Sequence, residues 1–582
     1  MNRHKGGHKE QGVAFRSGHR SGHKGRPTAA GTRQAGVPQT GVRQIGARQA
    51  GARQIGARQT GARQTGARQI GAQAVRQRTR PGVRTALSGG MVAVLPTLLL
   101  ATFRTILRMF LWGVLWAILW AILWAGTGPV RAQTAPFDES RPQRPDDTVQ
   151  GPERLSLSGS HRTRFQMLDG QFRPGFGDGD HSMAFVTLLR ADVRLGKRFS
   201  LTAEIEDARQ ALADGSTPLE TTNVNALALL QANLRYTADD LFGLGGRTRL
   251  TLGRQTLGIG RRRFVGRQVF RNTIQNFTGL DILWRGRGGR RVHGFYTLPV
   301  IIRPDAPERL LDNDIVFDRE SLDLQFWGLA LTDPTVSRHA HYELAVFGLH
   351  ERDGAPDKAH RQTENRQLYT ASLRLWRPHA GRHVDYELHG AVQFGEQRAS
   401  DDPQDRRDLD HSAHYVHGEI GYSFGDGWQT RLMLQYDHAS GDRDPEDGNS
   451  NRFDSLFGPR RPEFGPTGTY GAFNRSNITG PGIRLSIAPS RRLDGFVGYR
   501  AFWLDERRDE WGPADLQDRQ GRSGTFLGHQ IQGRLRWRPF PGNLMVETGF
   551  AHLVDGGFAR RAPGATGFGD TTYLYTDVTF SF

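Results

Sequence analysis

Arginine recurs at alternate positions in segment after segment of this chain: Arg162 and Arg164, Arg190 and Arg194 at a spacing of four, Arg534 and Arg536, with Arg235 and Arg431 in similar settings. A guanidinium stays charged at any physiological pH, and its planar fork of donors fits a carboxylate. Residues an even number of positions apart share one face of an extended strand. The chemistry this implies is the electrostatic capture and passage of anions, with no bond made or broken. Other chemistry finds few candidates. There is no cysteine, so disulfides and thiolate catalysis are excluded. The histidines show no HExxH or comparable metal spacing, no nucleophile motif is present, and RGRGGR (285–290) reads as a turn, not a phosphate cradle. Neither an enzyme nor a cofactor is expected. Asp442, Asp444, Glu446 and Asp447 form the one weak calcium candidate. An EF-hand would need glycine where Asp447 stands, and a solvated loop is the simpler reading.

The elements that must carry these arginines are strands. From about residue 154 onward the dominant period is two. Leu155, Leu157, Phe165 and Met167 alternate with Ser156, Ser158, Arg162, Arg164 and Gln166. Leu432, Leu434 and Tyr436 alternate with Arg431, Gln435 and Asp437, and Leu527, Ile531, Leu535 and Trp537 with Gln530, Gln532, Arg534 and Arg536. Eighteen such segments are expected, near 155–167, 183–194, 199–207, 226–237, 247–256, 278–286, 291–298, 321–331, 341–350, 367–376, 384–395, 413–424, 428–438, 481–488, 493–503, 524–538, 544–553 and 571–582. Connections after even-numbered segments are mostly short, and those after odd-numbered segments are long and polar. Together these features predict an all-β fold: an 18-stranded antiparallel transmembrane β-barrel with short periplasmic turns and long extracellular loops. A closed sheet is the only β structure that satisfies its backbone in hydrocarbon. Eighteen strands are too many for side chains to fill, so a lumen is expected, lined by the polar face. Inward carboxylates such as Asp192, Glu204, Glu206, Glu387, Glu419, Asp437 and Glu547 are expected to hold the arginines in place.

The net charge of +19 and pI near 10.7 would suggest a nucleic-acid partner. The basic excess, however, is confined to residues 1–132, whose only acid is Glu10, and the remainder is close to neutral. No nucleic-acid role is expected. Residues 1–90 contain a Gly-Ala-Arg-Gln pentapeptide repeat without aromatics and read as disordered, either a basic tail or sequence translated from upstream of the true start. Residues 91–132 read as a signal peptide: Arg104 and Arg108, then the apolar run 109–125, then a small-residue cleavage site at Ala132. Residues 133–153 are a Pro/Asp/Gln-rich linker, and 154–582 the barrel.

The stretches EIEDARQ (204–210), LLQANLRY (229–236), LGRQTLGIGRRRFVG (252–266) and NFTGLD (276–281) resemble the alginate-export family of outer-membrane barrels. So do the loop at 436–458, FNRSN (473–477), and the pair 526–540 and 544–558. The resemblance covers about 155–582. It implies an 18-stranded barrel with an electropositive constriction for a polyuronate, and it assigns Asp207, Arg209, Arg254 and Arg263 to the pore or its mouth. Strand parity places Asp207, Arg209 and Arg254 on the lipid face instead, so either they lie at the extracellular rim, the favoured reading, or a bulge near Glu206 and Gly253 switches the face. The resulting expectation is a monomeric Gram-negative outer-membrane channel passing anionic saccharides or other small anionic solutes by passive diffusion; the alternative is a receptor or adhesin acting through its long loops. Expected partners are outer-membrane lipid and, through the terminal aromatic Phe582, the barrel-assembly machinery.

Overall fold

A computed structural model describes residues 154–582 apart from 336, 338–339, 354–362, 403 and 541. The basic repeat segment (1–90), the signal peptide (91–132) and the linker (133–153) lie outside the described residues.

Eighteen long strands follow one another. They are β1 (Leu155–Asp169), β2 (Gly179–Leu195), β3 (Phe199–Ala211), β4 (Asn225–Asp239), β5 (Arg247–Gln255), β6 (Phe277–Arg285), β7 (Arg291–Pro299), β8 (Leu324–Asp333) and β9 (His341–Glu351). The second half comprises β10 (Gln367–Arg377), β11 (Val384–Gln397), β12 (Leu409–Ser423), β13 (Arg431–Ala439), β14 (Ile478–Ser490), β15 (Leu493–Trp503), β16 (Phe526–Phe540), β17 (Leu544–Asp555) and β18 (Thr571–Ser581). Each pairs antiparallel with its neighbour in sequence, and β1 pairs with β18 from Ser160↔Ser581 to Asp169↔Thr572. That last pairing closes the barrel, so the long sheet has no free edge. All eighteen expected segments are present as strands.

Because side chains alternate, the register sorts the residues without exception over long stretches. Leu157, Phe165, Leu189, Leu201, Leu252, Leu434 and Trp537 are exposed on the outer face, where a membrane would cover them. Arg164, Gln166, Glu204, Gln231, Glu387, Gln435 and Glu547, from the other parity, are buried inside. Connections of a few residues (196–198, 286–290, 491–492) lie at one rim, and the long loops (256–276, 300–323, 440–477, 504–525) at the other. Several expected boundaries are off by three or four residues: β2 begins at Gly179 rather than 183, β3 runs to Ala211 rather than 207, β8 begins at Leu324 rather than 321, β12 at Leu409 rather than 413 and β14 at Ile478 rather than 481. β13 begins at Arg431 and not at 428, because Asp426 accepts hydrogen bonds from the Thr430 N–H (2.8 Å) and hydroxyl (2.6 Å) in a turn that holds Gln429 at φ 49°.

The interior departs from a uniformly polar lining. Phe277, Phe295, Phe326 and Phe347 point inward from β6–β9 and are almost completely buried. They pack on Phe457 and Phe264 from two long loops, with Phe326–Phe457 centroids 4.9 Å apart, Phe277–Phe457 5.3 Å and Phe264–Phe347 6.0 Å. Such aromatic pairs are worth about 0.5–1.5 kcal/mol each beyond their buried area. A second group, in which Phe473 stacks on Phe502 (3.8 Å) and Phe172 on Trp511 (5.1 Å), seats the far end of loop 440–477. One side of the barrel is thus filled by a hydrophobic core, and the open space is displaced toward β1–β3 and β16–β18.

Candidate functional site: a cationic cavity bounded by two inward loops

Loops 256–276 and 440–477 both fold into the barrel and meet there. Val265 and Phe457 form a parallel bridge, and the Phe457 N–H donates to the Phe264 carbonyl at 2.9 Å. Gly458 sits so close to the other loop that a Cβ on it would overlap the Arg263 carbonyl oxygen. The short helix α1 (Arg461–Phe464) follows immediately.

Charge fixes the junction to the wall. Arg263 is buried and ion-pairs with Glu387 of β11 and, at 2.9 Å, with Glu463 of α1; it also lies 3.1 Å from His389 Nδ1. Burial alone would lower the Arg263 pKa, but Glu387 and Glu463 outweigh it and hold the guanidinium well above its usual range. Glu463 pairs in turn with Arg475 at 2.5 Å, and its backbone carbonyl accepts from Arg500 at 2.6 Å. Arg267 pairs with Glu204 at 2.8 Å. Phe270 is clamped between two guanidiniums, Arg164 at 3.7 Å and Arg461 at 4.0 Å from its ring centroid. These contacts make the loops part of the wall.

Beside the junction is a cavity of about 800 Å³. It is bounded by Ser156, Asn543 and Ser581 near the short-turn rim and by Thr222, Thr467 and Gly468 from the long loops. Eleven arginines border it, against five carboxylates. Toward the long-loop side Arg173, Arg271 and Arg460 influence one another around the carboxylate of Glu220. Burial lowers all three, and Arg460 further depresses the other two, so that Arg173 and Arg271 are pushed down to about 10. All three remain cationic at neutral pH.

The residues singled out in the sequence divide into three groups. Arg162, Arg190 and Arg536 border the cavity. Arg162 donates to the Val269 carbonyl (2.8 Å), Arg190 pairs with Asp192 (2.7 Å) and Arg536 with Glu547 (2.7 Å). Arg164, Arg235, Arg263, Arg431 and Arg534 also face inward but serve the wall. Arg164 grips Asp577 through two bonds of 2.6 and 2.7 Å, Arg431 joins Asp385 and Glu419, and Arg534 pairs with Asp494 at 2.7 Å. Arg194 lies inward next to the short-turn rim. Asp207, Arg209 and Arg254 do not line the lumen. They lie on the outer face at the long-loop rim, Arg209 against Asp207 (2.9 Å) and Arg254 against Glu320 (2.5 Å). Strand parity puts them outside: β3 keeps continuous register with β2 across Asp207 and Arg209, its irregularities falling on the β4 side, and β5 pairs regularly with β4 at Arg254.

Arg261, Arg262, Arg267, Arg271, Arg460, Arg461 and Arg475 also border the cavity and come from the loops, where no periodicity marks a direction. The runs RRR (261–263) and RR (460–461) mark four of them in the sequence, and Arg475 lies within FNRSN (473–477). The calcium candidates are not gathered. Asp444 approaches Arg508 (3.5 Å), Asp447 accepts from the Asn449 N–H (2.6 Å), and the Asp442 N–H donates to Asp509 (2.8 Å). Glu446 only donates its own N–H to Asp444, at 3.4 Å. Among the described residues no group of three or more His, Cys, Asp or Glu side chains is placed to hold a metal.

Comparison with known proteins adds the family. The alginate export profile matches residues 153–568. No curated protein sequence matches the chain. Among solved structures, the outer membrane protein OpdK from Pseudomonas aeruginosa is similar at 12% identity over 73% of this chain and 98% of its own, with a TM-score of 0.47. OccAB3 from Acinetobacter baumannii is similar at 11% identity over 73% and 99%, with a TM-score of 0.44. With a closed 18-stranded barrel and a family profile spanning most of its length, the chain belongs to the alginate export family and is an outer-membrane channel for solutes, not an enzyme.

Proposed function

We propose that this channel passes anionic oligo- or polysaccharides, and other anionic solutes of similar size, by passive diffusion, with a polyuronate of the alginate type as the substrate class its family suggests. The observation that carries the reading is the imbalance at the cavity, eleven arginines against five carboxylates, beside a junction that narrows the lumen. A fixed excess of positive charge between low-dielectric walls raises the local concentration of anions and repels cations. Pairing supports the same reading. The neighbouring carboxylates orient the guanidiniums without neutralising the whole set, so a solute meets ordered donors it can engage in bidentate fashion. From 451 to 477 the long loop 440–477 has no exposed residue, which weighs against a receptor or adhesin role for that part of it. The barrel closes on its own first and last strands, in keeping with a monomer, and the terminal strand with Phe582 directly after it fits recognition by the barrel-assembly machinery.

The test is single-channel conductance in planar bilayers under a salt gradient. The reversal potential should have the sign of anion preference, and oligouronates added to one side should interrupt the current. A cation-selective reversal potential would remove the proposal.

A further inference from the structure

Asp207, Arg209 and Arg254 face away from the lumen, and something must make charges tolerable on that surface. Asp207 and Arg209 pair with each other, and loop 300–323 covers Arg254. The loop leaves β7, turns through a short helix (Pro307–Leu311) and lies across the outer face of the wall from β6 back to β3 before entering β8. Its attachments are specific. Glu320 accepts from Arg254 (2.5 Å) and from the Thr278 hydroxyl (2.5 Å). Asp318 accepts from the Asn225 side chain (3.1 Å), and Asn313 exchanges two hydrogen bonds with the backbone of Gln210 (2.7 and 2.8 Å). Asn225, at the rim of β4, is only 2% exposed under this cover.

The far side of the loop is the part left unexplained. From 315 to 320 the chain is extended and its exposure alternates. Asp318 and Glu320 reach the barrel, so Ile315, Phe317 and Arg319 point the other way. Phe317 is 81% exposed, Leu322 75% and Ile315 53%. Large apolar side chains this open, grouped on one edge, mark an interaction surface. The patch continues the lipid-facing row of the wall beside it, where Leu252, Leu280 and Tyr296 are exposed in the same way. Arg319 among them suits the headgroup level, where a long cationic side chain lays its stem on apolar surface and keeps its charge in the polar layer.

We propose that loop 300–323 is a lateral membrane anchor. Ile315, Phe317 and Leu322 enter the outer leaflet at the boundary between headgroups and acyl chains, and the Arg254–Glu320 pair clasps the loop to the barrel so that they can.

The absence of cysteine from the sequence allows a clean test. A nitroxide is attached to Phe317→Cys in the full barrel reconstituted in lipid nanodiscs, and its collisions with oxygen and with a water-soluble nickel chelate are measured. Leu280→Cys gives the lipid reference and Asp444→Cys the water reference. The label at 317 should resemble the lipid reference. Adding Arg254→Gln with Glu320→Gln should move it toward the water reference, while resistance of the barrel to unfolding in cold detergent shows that the fold is kept. Chelate access at 317 equal to that at 444 would overturn the proposal. So would protection seen only when two barrels share a disc, since the occupant would then be a second copy.

Discussion

Gly458 lies against the backbone carbonyl of Arg263, with no room between them for a side chain. Two loops nearly two hundred positions apart are therefore joined at a point where any residue larger than glycine forces them apart. Gly458→Ala should cost about 1–3 kcal/mol through overpacking. It should lower the thermal unfolding midpoint in detergent and give larger, noisier single-channel currents as the junction loosens. Unchanged conductance and midpoint would show that the loops yield freely at this contact.

Selectivity should follow the loop arginines. Arg460 borders the cavity in company with Arg173, Arg271 and Glu220. At a separation of about 8 Å and an effective dielectric of about 20, one unit of charge is worth about 2 kcal/mol before salt screening. Arg460→Glu removes two units, so the ratio of anion to cation permeability should drop severalfold, read from the reversal potential. Arg209→Glu, outside the lumen, should leave that ratio alone.

Glu463 lies between two buried guanidiniums, Arg263 at 2.9 Å and Arg475 at 2.5 Å. Removing one member of such a set strands the others in a low dielectric, a cost of about 3–5 kcal/mol. Glu463→Gln should be strongly destabilising. Combined with Arg475→Gln it should cost less than the sum of the two single changes, because each relieves the charge the other leaves behind. Additive losses in thermal unfolding would deny the coupling.

Loop 440–477 should respond to acid. Burial, with Asp509 nearby, pushes the Asp442 carboxyl up to about 6 from an ordinary value near 3.8. A carboxyl held above its unfolded value binds its proton more tightly in the folded loop, so docking is favoured at low pH and weakens as pH rises through the window from about 4 to 6. Above that window the effect is constant. The change should be on the order of 1–2 kcal/mol. Limited proteolysis within 440–450 should be slower at pH 4.5 than at pH 7, and Asp442→Asn should be equally resistant at both. Faster cleavage at the lower pH would reverse the sign.

Much of the wall was legible in the sequence, since lipid on one side and water on the other impose the alternation. Leu432, Leu434 and Tyr436 against Gln435 and Asp437 leave no freedom of register. Parity also placed Arg254 outside the lumen, against the position implied by its motif. The aromatic filling was hidden, because Phe326 lies in FWGLAL (326–331), where both faces are apolar and no alternation can be read. The loop arginines were hidden for a different reason. Arg267 and Arg461 take their direction from contacts with Glu204 and Phe270, neither of them local in sequence.

The pairing of Arg164 with Asp577 has a consequence for assembly. The cation stands on the first strand to emerge and its counter-charge on the last, so through synthesis and transit the guanidinium has no partner at that position. Only when the two ends of the sheet zip together in the correct stagger does the carboxylate arrive, and a slip of one residue would turn it toward the acyl chains. The seam thereby carries its own proofreading: a barrel joined out of step leaves an orphaned charge on either side of the final join.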